Sequence, residues 1–318
     1  MKKTSNKFIL ILFTLFSLSC HKKQETPFEQ LFNNSLKNIK TYYIKNDVIN
    51  WFNIEIKVKD SIKQFNSNND VYNAIDYTLF LINDRHSCFF KPEDNIINND
   101  SLVLPEVQSK IIGNNIGYIK IPGFGANERL SKLFALKIRK TLIELDRSSS
   151  LNGWIIDLKD NNGGAGFSQP LGISPLLKDS IISYYKDNKG NFKPIICLNN
   201  TFKFGHDDTG VSLNYVNTLI NKDKKIAVLI NNRTASCGEL VAMSLKFQKQ
   251  TKIFGSRSNG LTTALMPIHY SPSGATLLLS FSYLCDLDKK IVKAIIPDEK
   301  CSSEESLEKA IKWIKNDI

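Results

Sequence analysis

Residues 231–246, "NNRTASCGELVAMSLK", place Ser236 between an apolar run and a helical pattern. Two kinds of chemistry fit that serine. With Glu239 three residues on, it makes a capping box, in which the hydroxyl only starts a helix. A serine at the head of a helix that follows a buried strand also has free N–H groups and the helix dipole beside it, and these can stabilise an oxyanion. Three other stretches carry residue types able to do chemistry. "DLKDNNGGAG" ends an apolar run in Gly163 and Gly164, whose backbone N–H groups can point into a cleft. "LINDRHSC" sets His86 where a helical pattern hands over to an apolar piece, with Asp84 close by. "VKAIIPDEKC" reads as a strand exit at Pro297 and Asp298.

The elements expected to position these residues fall into two groups. From Phe28 to about Leu81 the pattern is helical, and "VYNAIDYTLFLI" puts Val71, Ile75 and Leu79 beside Ala74, Thr78 and Ile82 on one face. From Leu102 strands alternate with helices. "GWIIDL" and "KKIAVLIN" are continuous apolar runs, as expected of strands buried on both faces, and "ERLSKLFALKIRKTLIEL" is an amphipathic helix. This predicts an α/β layered core over residues 101–318 behind a small helical domain over 21–100 that ends in the His86 segment. The polar stretch 200–215 is expected to be a loop near the cleft, with His206 in solvent.

Composition excludes several classes. The formal charge is +11, but the lysines and arginines are spread widely, with no zinc-knuckle spacing and no aromatic-basic strand, so nucleic acid is not an expected partner. No glycine-rich dinucleotide fingerprint or phosphate loop is present, and no pair among His21, His86, His206 and His269 has metalloprotease spacing. No metal or cofactor is therefore expected. Residues 1–20, "MKKTSNKFILILFTLFSLSC", have the basic start and short apolar core of an export signal. Its "SLSC" end resembles a bacterial lipoprotein signal, which implies lipid on Cys20 and a place in the cell envelope, facing the periplasm on a membrane anchor. Of the remaining cysteines, Cys285 and Cys301 could pair, although spacing does not fix connectivity.

Taken in order, "LINDRHS", "IGYIKIPGF", "GWIIDLKDNNGG", "IAVLINNRTASCGELVA", the "GSRSNG" turn and "AIIPD" resemble the C-terminal processing (tail-specific) proteases, the tricorn protease core and the repeats of interphotoreceptor retinoid-binding protein. The resemblance implies a crotonase-like serine peptidase core and makes Ser236 the nucleophile. One branch of that family draws its base from a Lys where this chain has Leu261, which cannot take a proton. The tricorn-like branch uses a His ahead of the core, and "NDRHS" supplies His86. The roles implied are Ser236 as nucleophile, His86 as general base, and the backbone of Gly163, Gly164 and Cys237 as oxyanion donors. That branch also carries a supporting Glu where this chain has Ile291, leaving Glu239, Asp286 and Asp288 as possible supporting acids. The interval between His86 and "IGYIKI" is about thirty residues, too short for an inserted PDZ domain when independent domains start near ~50. The expected function is hydrolysis of peptides or unfolded protein segments. Two alternatives stay open: an inactive binding protein for a lipophilic or peptide ligand on the same fold, and an esterase. The sequence gives no oligomeric state.

Overall fold

The computed structural model describes residues 25–92, 102–113, 115–198, 200–215, 219, 221, 223–248, 250–270 and 274–316. The export signal, Cys20 and the boundary at residue 100 lie outside the described residues. No helix among the described residues is long and apolar enough to cross a membrane.

Three helices come first: α1 (Pro27–Tyr42), α2 (Trp51–Ser61) and α3 (Asn68–Leu81). Thr26, Asn50 and Ser67 start them, each accepting a backbone N–H of the first turn on its side chain. The apolar stripe of α3 is buried as its periodicity requires, from Val71 and Ala74 through Ile75 and Thr78 to Leu79. It packs with Phe32, Leu36 and Ile39 of α1. The same cluster takes in Tyr270, Ala275, Leu277 and Leu279 of the region beyond, so the helices share a core with a β-sheet.

After α3 the elements are β1 (Cys88–Phe90), β2 (Gln108–Ile112), β3 (Ile116–Lys120), α4 (Glu128–Ser148), β4 (Gly153–Asp157), α5 (Ser168–Ile173), β5 (Ile181–Asp187) and β6 (Phe192–Leu198). Then come β7 (Thr201–Phe204), β8 (Val211–Ser212), β9 (Lys225–Ile230), α6 (Cys237–Lys246), β10 (Thr251–Gly255), β11 (Thr263–Tyr270), β12 (Ala275–Cys285), β13 (Glu299–Lys300) and α7 (Glu305–Lys315). The described residues form two sheets. One has the order β13-β10-β9-β4-β3-β2, parallel except for β2. The other, antiparallel, runs β1-β12-β5-β6-β7-β8, with β11 also on β12. The chain is therefore mixed α/β with a helical N-terminal region.

The continuous apolar strands lie at the centre of the parallel sheet because both of its faces are covered. Trp154, Ile156, Ile226, Val228 and Ile230 pack with α4 and α6. Ile155, Ala227 and Leu229 face Ala310 and Ile314 of α7 on the other side. Neighbouring parallel strands leave their loops at one end. The exits of β3, β4, β9 and β10 thus cluster at the carboxyl edge, where open α/β sheets gather their ligands.

Two stretches differ from expectation. Residues 200–215 contain the hairpin β7–β8, in which Phe202 is buried and Phe204 is exposed. The apolar run before Pro297 is not a strand, because its backbone bonds go to three separate places. Val292 N–H donates to Leu284, Ile295 N–H to the Ser258 hydroxyl and Asp298 N–H to Ile253. Cys285 and Cys301 are both free thiols.

If the helices and β12 share one core, Leu279→Ala should cost about 2–5 kcal/mol, the usual range for emptying a fully buried leucine site. Urea unfolding followed by circular dichroism checks this. A change under about 1 kcal/mol would contradict the shared core.

Candidate active site

The exit of β9 is stitched to the exit of β4 before α6 begins. Thr234 donates its hydroxyl to the Leu158 carbonyl (2.8 Å), and Ala235 N–H donates to the Asn161 carbonyl (2.8 Å). The next residue, Ser236, has φ 51° and ψ −116°. This is not a relaxed conformation for an L-residue and costs on the order of 1–3 kcal/mol. A strained serine on a strand-to-helix turn is the geometry of a nucleophile elbow, which lifts the hydroxyl clear of the backbone. The capping motif forms on its glutamate side: Glu239 Oε2 accepts the Ser236 N–H at 2.9 Å. The Glu239 N–H goes to the Ser236 carbonyl (2.9 Å), and the Ser236 hydroxyl makes no cap bond.

That hydroxyl meets His86 instead. Ser236 Oγ lies 3.0 Å from His86 Nε2 across 150 residues of sequence. His86 Nδ1 lies 2.7 Å from the Thr263 hydroxyl, which is 3.1 Å from the Ser280 hydroxyl. The turn carrying His86 is fixed from both sides. Asp84 accepts the Ser87 N–H (3.1 Å) and the Ser87 hydroxyl, while that hydroxyl accepts Ser280 N–H (2.9 Å) from β12. Burial holds the His86 pKa below its ordinary value, and the Asp84 charge pulls the other way. His86 is then neutral at pH 7. In the tautomer whose Nδ1–H donates to Thr263, Nε2 is free to accept the Ser236 proton, within the reach of a general base.

The glycine loop fits against the Ser236 turn. A Cβ on Gly163 would stand 2.7 Å from the Ser236 Cβ, and one on Gly164 would stand 1.9 Å from the Phe124 carbonyl oxygen. Their φ angles of 103° and 136° also favour glycine. One expected donor is corrected by the structure. Gly163 N–H is taken by Asn161 Oδ1 at 3.0 Å, so Gly163 supplies space rather than an oxyanion contact. Gly164 and Cys237 have no recorded acceptor for their N–H groups among the described residues. Asn161 is fully buried and also donates to the Ile121 carbonyl (3.0 Å) and Gln169 Oε1 (2.7 Å), while Gln169 donates to the Gly163 carbonyl (3.1 Å).

The remaining expected residues separate. Asp286 and Asp288 stay in the turn after β12, where Lys290 N–H donates to Asp286 (2.8 Å) and the Lys290 ammonium lies 3.4 Å from Asp288. The group at His86 Nδ1 is a hydroxyl, so neither aspartate is the partner of the base. The Cys237 thiol is buried, directed at the Ala165 carbonyl (3.5 Å), and burial pushes its pKa up to about 12. It is packing, not a second nucleophile. Ile291 is exposed and bridges to Cys285. Leu261, standing where a base Lys was considered, lines a cavity of about 180 Å³ beside Ser236 with Phe167, Ile195, Leu240, Leu265 and Leu284. Thr263, Ser280, Asn161 and Gln169 were not singled out from sequence. The described residues hold no group of three or more His, Cys, Asp or Glu able to bind a metal ion.

A strand-to-helix elbow, a histidine on its hydroxyl and a glycine loop against the elbow have the arrangement of a serine hydrolase. Residues 115–301 match the model of peptidase family S41, and the chain belongs to that family. It is 30% identical over 290 residues to the nisin-resistance protein of Lactococcus lactis subsp. lactis, a match covering 89% of this chain and 86% of that protein. Among solved structures, a lipoprotein from Streptococcus agalactiae has the same fold, with a TM-score of 0.77 at 23% identity over 93% of this chain and 99% of that one. The photosystem II D1 C-terminal processing protease shares the fold with a TM-score of 0.60 at 14% identity, over 88% of this chain and 94% of that one.

The acid limb of reaction at Ser236 should have its midpoint below the ordinary histidine value of about 6.5. Asp84→Asn removes the charge that favours the imidazolium, so the midpoint should move lower still. Rates of covalent modification measured from pH 4 to 9 read both effects, and a midpoint that rises in Asp84→Asn would contradict the assignment.

Proposed function

We propose that this chain is an exported serine peptidase that hydrolyses peptides or unfolded protein segments, with Ser236 as nucleophile and His86 as general base. The observation that carries the reading is the 3.0 Å approach of His86 Nε2 to Ser236 Oγ. Membership of a peptidase family supports the reaction class. In the first step Ser236 attacks the scissile carbonyl while His86 takes its proton, and the N–H groups of Gly164 and Cys237 receive the oxyanion. His86 then returns the proton to the leaving amine, and water resolves the acyl-enzyme by the same path. Thr263, backed by Ser280, holds the imidazole in the tautomer that leaves Nε2 bare.

The apolar cavity beside Ser236 supports a preference for an apolar side chain next to the scissile bond. A medium-sized group such as Leu or Val suits walls made by Leu240, Leu261 and Leu284. The name of the Lactococcus relative makes nisin a substrate to include in any panel. Export and a lipid on Cys20 belong to the same reading. They are supported by the leader sequence and by a fold neighbour described as a lipoprotein.

Purified chain lacking residues 1–20 should react with a fluorophosphonate probe and cleave apolar-rich peptides. Ser236→Ala and His86→Ala should abolish both, and Cys237→Ala should keep both. Correctly folded wild type that neither reacts nor cleaves would overturn the peptidase reading in favour of an inactive binding protein. Thr263→Val should lower kcat about fivefold, the scale of one lost orienting hydrogen bond of about 1 kcal/mol, and Thr263→Ser should restore most of it. Full-length chain expressed in a bacterium should carry lipid by mass spectrometry, and Cys20→Ala should lack it.

A further inference from the structure

Glu239 is fully buried in the first turn of α6, and none of the described ion pairs reaches it. Every group recorded against its carboxylate is a donor. Oε2 accepts the Ser236 N–H at 2.9 Å, and Oε1 accepts the Gly260 N–H at 2.8 Å and the Ser258 hydroxyl. The Leu261 N–H contributes as well. Backbone N–H groups cannot accept, so the lining favours a carboxylate over a carboxylic acid, whose proton could go only to the Ser258 hydroxyl. Burial raises the Glu239 pKa, and these hydrogen bonds offset only part of the rise. An ordinary helix-capping glutamate reaches one backbone group and stays in solvent. This one is enclosed and reaches a second segment.

The two carboxylate oxygens divide their contacts in a way that matters. One holds the strained Ser236. The other holds the turn after β10, and Thr263, the partner of His86, follows that turn directly. Two further bonds keep the turn in place: Ile295 N–H donates to the Ser258 hydroxyl (2.7 Å), and Asn259 N–H donates to the Thr234 carbonyl (2.9 Å). A single anion thus braces the nucleophile's backbone against the segment that delivers the partner of the base.

We infer that ionised Glu239 is a positioning residue that sets the spacing of Ser236, His86 and Thr263 through backbone N–H groups, without touching substrate. This rests on the reading of Ser236 as nucleophile. It assigns Glu239 no part in proton transfer, unlike an acid behind the histidine. In Glu239→Gln the amide can turn its carbonyl to only one of the two segments, and its NH₂ must face donors on the other side. The side chains of Leu240, Leu265 and Leu284, which line the apolar cavity, are not among the partners of Glu239, so substrate binding should change less than the rate of attack.

The test is the fluorophosphonate reaction rate, with kcat and KM on one apolar-rich peptide. Glu239→Gln should react at least tenfold more slowly than wild type and lose kcat in proportion, with KM within about twofold. Near-native circular dichroism and unfolding midpoint would show the fold intact. If Glu239→Gln does not fold, Ser258→Ala gives the same reading. It removes one donor from Oε1 while the carboxylate stays charged, and should slow the reaction severalfold at unchanged KM. Wild-type rates in whichever variant folds overturn the inference and leave the peptidase reading standing. A wild type that does not react at all sinks both.

Discussion

The site depends on a 3.0 Å contact between two side chains that 150 residues separate. Neither end can reach the other unless both sheets are in place. Ser236 is delivered by the exit of β9 in the parallel sheet. His86 is delivered by the turn before β1, which is held on β12 of the antiparallel sheet. The helical region packs on β11 and β12 in one core, so it bears on the site through the strand that seats the histidine turn.

The polar groups around this contact distribute charge in a particular way. A hydroxyl, not a carboxylate, faces His86 Nδ1. A hydroxyl holds the ring orientation, and it can donate to Nδ1 as well as accept from it, but it brings no negative charge to stabilise the imidazolium. Asp84 supplies some of that charge from the same turn, against the burial that favours neutral imidazole. The carboxylate of Glu239, fully buried, takes backbone N–H groups and the Ser258 hydroxyl rather than His86. Asn161 and Gln169 do for the glycine loop what Glu239 does for the elbow, by satisfying polar groups on loops that would otherwise compete for water.

Much of this was legible in the sequence where the signal is local. The α3 stripe follows from its helical period, and β4 and β9 follow from apolar runs too continuous for a half-exposed sheet. Ser236, His86 and the glycine pair were visible as motifs, and only a resemblance across several motifs joined them. Thr263 and Ser280 were not legible, because a threonine 177 residues from its histidine leaves no spacing to read. Asp286 and Asp288 were chosen for closeness in sequence to a missing Glu, but a tight turn uses their carboxylates locally. Gly163 looked like a donor because a bare glycine pair says nothing of the buried Asn161 that takes its N–H. The alternation of Phe202 and Phe204 did carry a strand signal, masked by the polar, glycine-bearing residues after it.

The central claim is that His86 stands ready as a base toward Ser236, with its Nδ1–H donated to the Thr263 hydroxyl. Nitrogen-15 NMR of the imidazole in the active chain reads this directly, with His86→Ala to assign the signal. Above the histidine pKa the resonances should show Nδ1 protonated and Nε2 bare, and Thr263→Val should disturb that state. A His86 ring protonated at Nε2, or averaging between tautomers as in free solvent, would contradict it.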